Sequence, residues 1–307
     1  YQSYTFESDE LPNGWDFTNF PYQTEDLEPY VGDESFSISF TVSENENPGY
    51  YNFTIDVILD EDNYKIEYFE VSVKIEYYAD FYLDIIDSES FKGPGEIHLF
   101  DVEITNNANI EDDIELEIMN LPEGWETCIL VNEICSSKVL VGKGQTVYFV
   151  LQISTKPNED ANTVNGVTLK LSAVSGLNNL VSDHYYFKVY TNPVYELAVT
   201  VNSDSKDGNS GDTIPFQVTI TNIGNDIEFV RLPPVVAPIG WMASWSNSQF
   251  TLEPQQSQIV YLNIEVPEIV YGGDNMIDGK VLSDQSGQSL DLNFVVYVDE
   301  KPDIDID

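Results

Sequence analysis

Histidine is nearly absent from these 307 residues, with two in all, and basic side chains are scarce, 12 Lys and Arg against 54 Asp and Glu. The resulting formal charge of −42 makes binding to nucleic acid or to an anionic membrane surface electrostatically unfavourable. No run approaches the roughly 20 apolar residues that a spanning helix needs, so no membrane insertion is expected within this chain. With histidine so rare, the commonest proton shuttle at neutral pH is in short supply. No HExxH, Gly-x-Ser-x-Gly, P-loop or dinucleotide fingerprint occurs. With 54 acids, pairs of carboxylates are inevitable, and none singles itself out for glycosidic chemistry. The chain is therefore expected not to be an enzyme.

Cysteine is almost missing too. Cys128 and Cys135 are the only two. A two-residue turn at Val131-Asn132 would set Cys128 opposite Cys135, within reach of a cross-strand disulfide. Such a bond implies an oxidising, extracellular setting.

What is present is repetition. Leu11-Pro12-Asn13-Gly14-Trp15, Leu121-Pro122-Glu123-Gly124-Trp125 and Ala237-Pro238-Ile239-Gly240-Trp241 mark three copies of one unit. Phe100-Asp101-Val102-Glu103-Ile104-Thr105-Asn106-Asn107 and Phe216-Gln217-Val218-Thr219-Ile220-Thr221-Asn222-Ile223 precede the second and third. The first lacks that segment. Period two dominates, as in Phe36/Ile38/Phe40/Val42, Tyr51/Phe53/Ile55/Val57, Phe149/Leu151/Ile153 and Val260/Leu262/Ile264/Val266, so each set lines one face of a strand. Closing strands start at Phe69, Phe187 and Phe294, which are aligned with one another. No sustained helical period competes.

The pattern predicts an all-β chain of tandem immunoglobulin-like antiparallel β-sandwich domains in an extended array. The divisions are 1–80, a partial domain lacking its first strands; 81–193; 194–301; and 302–307, the start of a next strand or linker. Joints near Ala79-Asp80 and Asn192-Pro193 are short, which restricts interdomain angles and predicts a stiff rod. The C-terminal Ile304 and Ile306 suggest a strand that completes the first unit of another copy by strand addition.

In this order of motifs the chain resembles the extracytoplasmic Ig-like repeats called NEW3 or CARDB-like domains of archaeal and bacterial surface proteins. The third unit carries the resemblance from Phe216 to Asn222, through Ile239-Gly240-Trp241 and Phe250-Thr251-Leu252-Glu253-Pro254, to Val260–Pro267. The second unit departs from it at Val141-Gly142-Lys143-Gly144 and in its cysteine hairpin. The resemblance implies a non-catalytic spacer, assembly or adhesion module, sometimes beside glycoside hydrolases and peptidases.

Individual residues add narrower expectations. His98 shares the register of Phe100 and Val102 and is expected at the rim of the core, whereas His184 faces solvent. Calcium is the one cofactor to consider, through Asp60 and Asp62, Asp112 and Asp113, or Asp204 and Asp207, since acidic loops offer oxygen ligands. Ser203–Asn209 half resembles a calcium loop. Asn52-Phe53-Thr54 is a glycosylation sequon on an outward register. Tyr68, Tyr186, Tyr190 and Tyr297 alternate outward, and Tyr186 and Tyr190 are candidates for contact with a neighbour or a sugar. Acidity spread over all three units suits saline surroundings, where salt screens self-repulsion. Two functions are in view. One is a structural module of a cell-surface assembly (surface layer, filament or stalk) contacting other copies or other surface proteins. The alternative is an adhesive or carbohydrate-binding accessory region of a large secreted hydrolase.

Overall fold

The structure is a computed structural model that describes residues 2–8, 11–18, 22–25, 27, 35, 37–44 and 46–299. Every regular element in it is a strand. Unit 1 comprises β1 (Tyr4–Glu7), β2 (Asp16–Phe17), β3 (Tyr22–Gln23), β4 (Phe40–Thr41), β5 (Gly49–Leu59) and β6 (Tyr64–Ile75). Unit 2 comprises β7 (Phe81–Ile85), β8 (Glu89–Lys92), β9 (Ile97–Asn106), β10 (Asp112–Met119), β11 (Glu126–Val131), β12 (Ile134–Cys135), β13 (Lys138–Val141), β14 (Thr146–Ser154), β15 (Asn162–Val174) and β16 (Ser182–Thr191). Unit 3 comprises β17 (Leu197–Val201), β18 (Ser205–Gly208), β19 (Thr213–Asn222), β20 (Glu228–Arg231), β21 (Met242–Trp245), β22 (Gln249–Leu252), β23 (Ser257–Glu265), β24 (Gly273–Ser283) and β25 (Ser289–Val298).

Units 2 and 3 share one topology. The sheet β12-β11-β14-β9-β7 corresponds to β21-β23-β19-β17, and β13-β10-β15-β16-β8 corresponds to β22-β20-β24-β25-β18. Alternation along each strand turns one set of side chains inward, and the two inner faces meet in a single core per unit. In unit 2 Phe100 meets Phe187 edge to face at 4.7 Å, and in unit 3 Phe216 meets Phe294 at 5.0 Å. Both pairs are fully buried. This is the immunoglobulin-like β-sandwich, with its two layers joined through aligned apolar faces. In each unit a short strand adds to the edge in parallel, β8 on β16 and β18 on β25, while the other pairings are antiparallel.

Among its described residues unit 1 has fewer strands. Its sheet β3-β1-β5-β6 corresponds to β13-β10-β15-β16, and its β2-β4 pair corresponds to β11-β14. Among the described residues nothing corresponds to β7, β8 or β9. Its core is small and aromatic: Trp15 stacks on Phe40 at 5.6 Å, and Phe53 meets Phe17 and Phe40 edge to face. The pairing register corrects the sequence alignment of the closing strands. Phe53 faces Val71 across the β5-β6 ladder as Leu169 faces Phe187 in unit 2. Val71, not Phe69, therefore holds the place of Phe187.

The disulfide Cys128–Cys135 is present, with Cα atoms 5.3 Å apart, but its hairpin is displaced by one residue from the expected register. Leu130 pairs with Cys135 and Val131 with Ile134, so the turn residues are Asn132 and Glu133. Both have positive φ, 51° and 66°, as a type I′ hairpin turn demands. Asn tolerates that conformation and β-branched Val does not. The cysteines are thus diagonal neighbours.

Candidate functional site at the joints between units

Each joint begins from an asparagine at the end of the strand nearest the preceding unit. Asn106 ends β9 and is fully buried. Its Nδ2 donates to the carbonyls of Ile110 (2.9 Å) and Val141 (2.8 Å), and its Oδ1 accepts from the Ala108 amide at 2.8 Å. Asn222 repeats this at the end of β19, donating to Asp226 (2.7 Å) and Leu252 (3.0 Å) and accepting from Gly224 at 2.9 Å. A buried amide with donors and acceptor all engaged fixes the loop that follows.

That loop presents a second buried asparagine, three residues on, to the chain arriving from the unit before. Asn109 donates to the Glu76 carbonyl at 3.0 Å and accepts from the Tyr78 amide at 3.1 Å. Asn225 donates to Asn192 at 3.1 Å and accepts from Val194 at 2.6 Å. The two clasps are related by the same offset in sequence, as 109 is to 225, so 76 is to 192 and 78 to 194. A backbone bond completes each joint, Asn107 N to Asp80 O and Ile223 N to Glu196 O, both 2.9 Å.

A tryptophan–glutamate pair brings a further loop to the joint. Trp15 Nε1 donates to Glu46 and Trp125 Nε1 to Glu159, each at 2.8 Å. The Trp15 donor, then the Tyr51 hydroxyl, holds the Glu46 carboxyl below its ordinary range. Two residues beyond Glu159, the Ala161 amide donates to the Asn225 carbonyl at 2.9 Å, and Asn225 Nδ2 also reaches the Glu159 carbonyl at 2.9 Å. The corresponding residue beyond Glu46 is Pro48, which has no amide hydrogen to give. There Lys143 of unit 2 donates to Asn47 Oδ1 at 2.8 Å instead.

The residues singled out from the sequence fall in different places. Asp112 is buried, and its oxygens accept from Ser175 Oγ at 2.5 Å and from the amides of Gly176 (2.9 Å) and Leu177 (3.2 Å). It closes a turn within unit 2, and those donors occupy the lone pairs a cation would need. Asp113 is exposed, 3.8 Å from Lys138. Asp60 accepts from Thr5 (2.6 Å) and Gln23 (2.8 Å), which ties β1 and β3 to the end of β5. These hydroxyl and amide donors, with Ser3 foremost, lower its pKa. Asp62 lies exposed in the β5-β6 turn. Asp204 and Asp207 are exposed, but Ser205–Gly208 is strand β18 lying parallel to β25, so the half-resemblance to a calcium loop does not hold. Among the described residues no three potential ligands converge.

Tyr190 is buried, contrary to expectation. Its ring stacks on Phe91 at 4.2 Å and lies over Gly166, where an added Cβ would stand 2.8 Å from it. The parallel strand β8 covers it, an edge strand that alternation alone does not reveal. Tyr186 is exposed beside His184, and Tyr68 and Tyr297 are exposed too. Asn52 is exposed on β5, opposite Ser72. Ile304 and Ile306 lie outside the described residues. His98 sits deeper than the core rim, fully buried with Nδ1 3.0 Å from Ser90 Oγ, and burial lowers its pKa. The joint asparagines Asn109 and Asn225 were missed. Their signal was legible as Thr-Asn-x-x-Asn, found at 105–109 and again at 221–225.

No protein-family model and no curated protein matches this chain. Similar solved structures include protocadherin gamma B2 extracellular cadherin domains 1–5, at 14% identity and TM-score 0.42, covering 98% of this chain and 53% of that one. PcdhgB3 EC1-4 gives 10% identity and TM-score 0.42, with 98% and 67% covered. A family 123 glycoside hydrolase from Clostridium perfringens gives 11% identity and TM-score 0.29 over 34% of this chain and 28% of its own. The chain thus spans from about a quarter to two thirds of these structures' lengths. The likeness extends to β architecture and no further. No helix among the described residues is long and apolar enough to cross a membrane.

Proposed function

We propose that this chain is a non-catalytic structural module of the cell exterior, of the CARDB-like kind, whose Ig-like units are held at set angles to space or assemble surface components. The repeated asparagine clasp carries the reading. A flexible string of domains has no use for buried amides that bind the linker backbone from both sides, whereas a spacer has. The Cys128–Cys135 bond supports an oxidising compartment, and the exposed Asn52 suits an attached glycan. Exposed Tyr68, Tyr186 and Tyr297 offer apolar area with a polar tip to neighbouring copies. Small-angle scattering tests the central claim. The intact chain should give a distance distribution of one extended form, and an Asn109→Ala/Asn225→Ala double variant a broadened, more compact one. Indistinguishable profiles would remove the clasp as the basis of the function.

A further inference from the structure

Units 2 and 3 differ at one matching place on the sandwich. In unit 2, β10 stays on β15 from Glu115 to Met119, and Lys138 beside it bonds Glu115 at 2.6 Å. The corresponding strand β20 leaves β24 after Arg231, because Pro233 and Pro234 have no amide hydrogen for the ladder. Ladder register matches the residues one by one. Glu115 faces Lys138 as Arg231 faces Gln249, so an ion pair across the ladder gives way to an arginine and a neutral amide. Ile129 faces Leu151 as Trp245 faces Leu262. Leu171 lies two residues beyond Leu169, the partner of Phe187, and Gly279 two beyond Ile277, the partner of Phe294. Where unit 2 packs Ile129 and Leu171, unit 3 therefore has Trp245 and Gly279. The indole uses the room that the glycine leaves, since a Cβ on Gly279 would stand 3.1 Å from Trp245 Cζ2.

These exchanges open a cavity of about 520 Å³, against about 320 Å³ at the matching place in unit 2. Trp245 is half-buried in its wall, and Trp245 Nε1 donates to the Pro233 carbonyl at 3.1 Å, so the ring offers the cavity carbon surface alone. Around it stand the exposed polar side chains of Arg231, Ser244, Ser248 and Gln249. Arg231 is the only arginine in the chain. Its Nε and Nη2 each lie 2.7 Å from Asp284 Oδ1, which offsets the charge and leaves Nη1 to donate. An apolar wall with a few convergent polar groups is the make-up of a small-ligand site. We infer that unit 3 binds a neutral sugar ring here, its C–H face against Trp245 and its hydroxyls on Arg231 Nη1, Gln249 and the two serines. Charge selects the class. Residues 194–307 hold 18 acidic and 4 basic side chains, so an acidic sugar is repelled. Among the described residues no carboxylate lines the cavity to hold a cation. No residue of either joint takes part, so this inference and the clasp reading stand or fall separately.

The probes are cellobiose, lactose, chitobiose and maltose, each titrated into the 307-residue protein. Saturation-transfer NMR reads binding, and the Trp245 indole N–H signal, assigned by its loss in Trp245→Ile, reads the place. At least one disaccharide should bind saturably and shift that signal, with an affinity insensitive to ionic strength, and glucuronic acid should bind more weakly than any that does. The double variant Trp245→Ile/Gly279→Leu, which installs the pair that packs unit 2, should abolish binding. Arg231→Glu/Gln249→Lys, which installs the ion pair of unit 2 at the rim, should weaken it roughly tenfold, the effect of losing a hydrogen bond to a charged donor. If the first variant unfolds unit 3, the second, confined to exposed side chains, still decides. No saturable binding of any of the four, binding that leaves the Trp245 signal in place, or full affinity in the rim variant would overturn the inference. So would tighter binding of glucuronic acid, because that assigns Arg231 to an anion.

Discussion

The two joints use the same asparagine clasp, yet the second asparagine engages more partners than the first. Asn109 engages only the incoming chain at Glu76 and Tyr78, whereas Asn225 engages Asn192 and Val194 and also the loop at Glu159 and Ala161. Part of the difference traces to one residue, Pro48 standing where Ala161 stands and so without an amide to give. The loop before Asn225 packs closer as well. A Cβ on Gly224 would lie 2.1 Å from the Val194 carbonyl oxygen, while the corresponding place in the first joint holds Ala108. A repeated motif thus sets the kind of joint, and its neighbours set the stiffness.

The comparison can be broken first at Asn225. Asn225→Ala strands the Val194 amide and the Asn192 and Glu159 carbonyls and should destabilise unit 3 by about 3 kcal/mol in urea unfolding. Asn109→Ala strands two groups and should cost about 2 kcal/mol. Equal losses would show that the additional bonds at the second joint contribute nothing. Gly224→Ala forces the loop off Val194 and should cost about 2 kcal/mol, visible as lost amide protection at residues 223–225. A wild-type midpoint would mean that the close approach relaxes freely.

Next comes pH. Burial, opposed by the Ser283 hydrogen bond, raises the pKa of Glu228, which lies just beyond the second joint. A carboxyl raised on folding contributes stability that is complete below its unfolded pKa of about 4.3 and is lost as pH rises through the folded value. Melting of unit 3 should fall across that window, and Glu228→Gln should flatten it. An unchanged slope in the variant would assign the dependence elsewhere. Its counterpart Asp112, one methylene shorter, reaches the turn amides that Glu228 does not. The smallest effect is expected from Pro48→Ala, which restores an amide to the first joint. Net stability should move by no more than about 0.5 kcal/mol, because the gained hydrogen bond is offset by a freer unfolded chain. Hydrogen exchange should nonetheless show a protected amide at residue 48.

Much of this architecture was legible in the sequence because alternation and turn residues are local signals. Phe100, Val102 and Ile104, or Val260, Leu262 and Ile264, announce inward faces without knowledge of partners. The misplacements share a cause, which is dependence on a non-local neighbour. Tyr190 is buried by Phe91, about a hundred residues earlier, on a parallel edge strand with no periodic signature of its own. Asp112 meets donors at 175–177 that only the sheet brings near. The shift from Phe69 to Val71 emerges from ladder register, since aromatic content misaligned two closing strands that pairing distinguishes. The joint was half legible: Thr-Asn-x-x-Asn recurs, but the linker backbone it grips carries no side-chain signature.

The parallel contacts β8-β16 and β18-β25 have a mechanical consequence. In each complete unit they join a segment near its entry to the strand at its exit, running in the same direction. Tension applied through the two ends therefore loads those hydrogen bonds in shear, and they must rupture together rather than unzip singly. Unit 1 shows no such patch among its described residues. Pulled in a single-molecule experiment, units 2 and 3 should each yield in one high-force step.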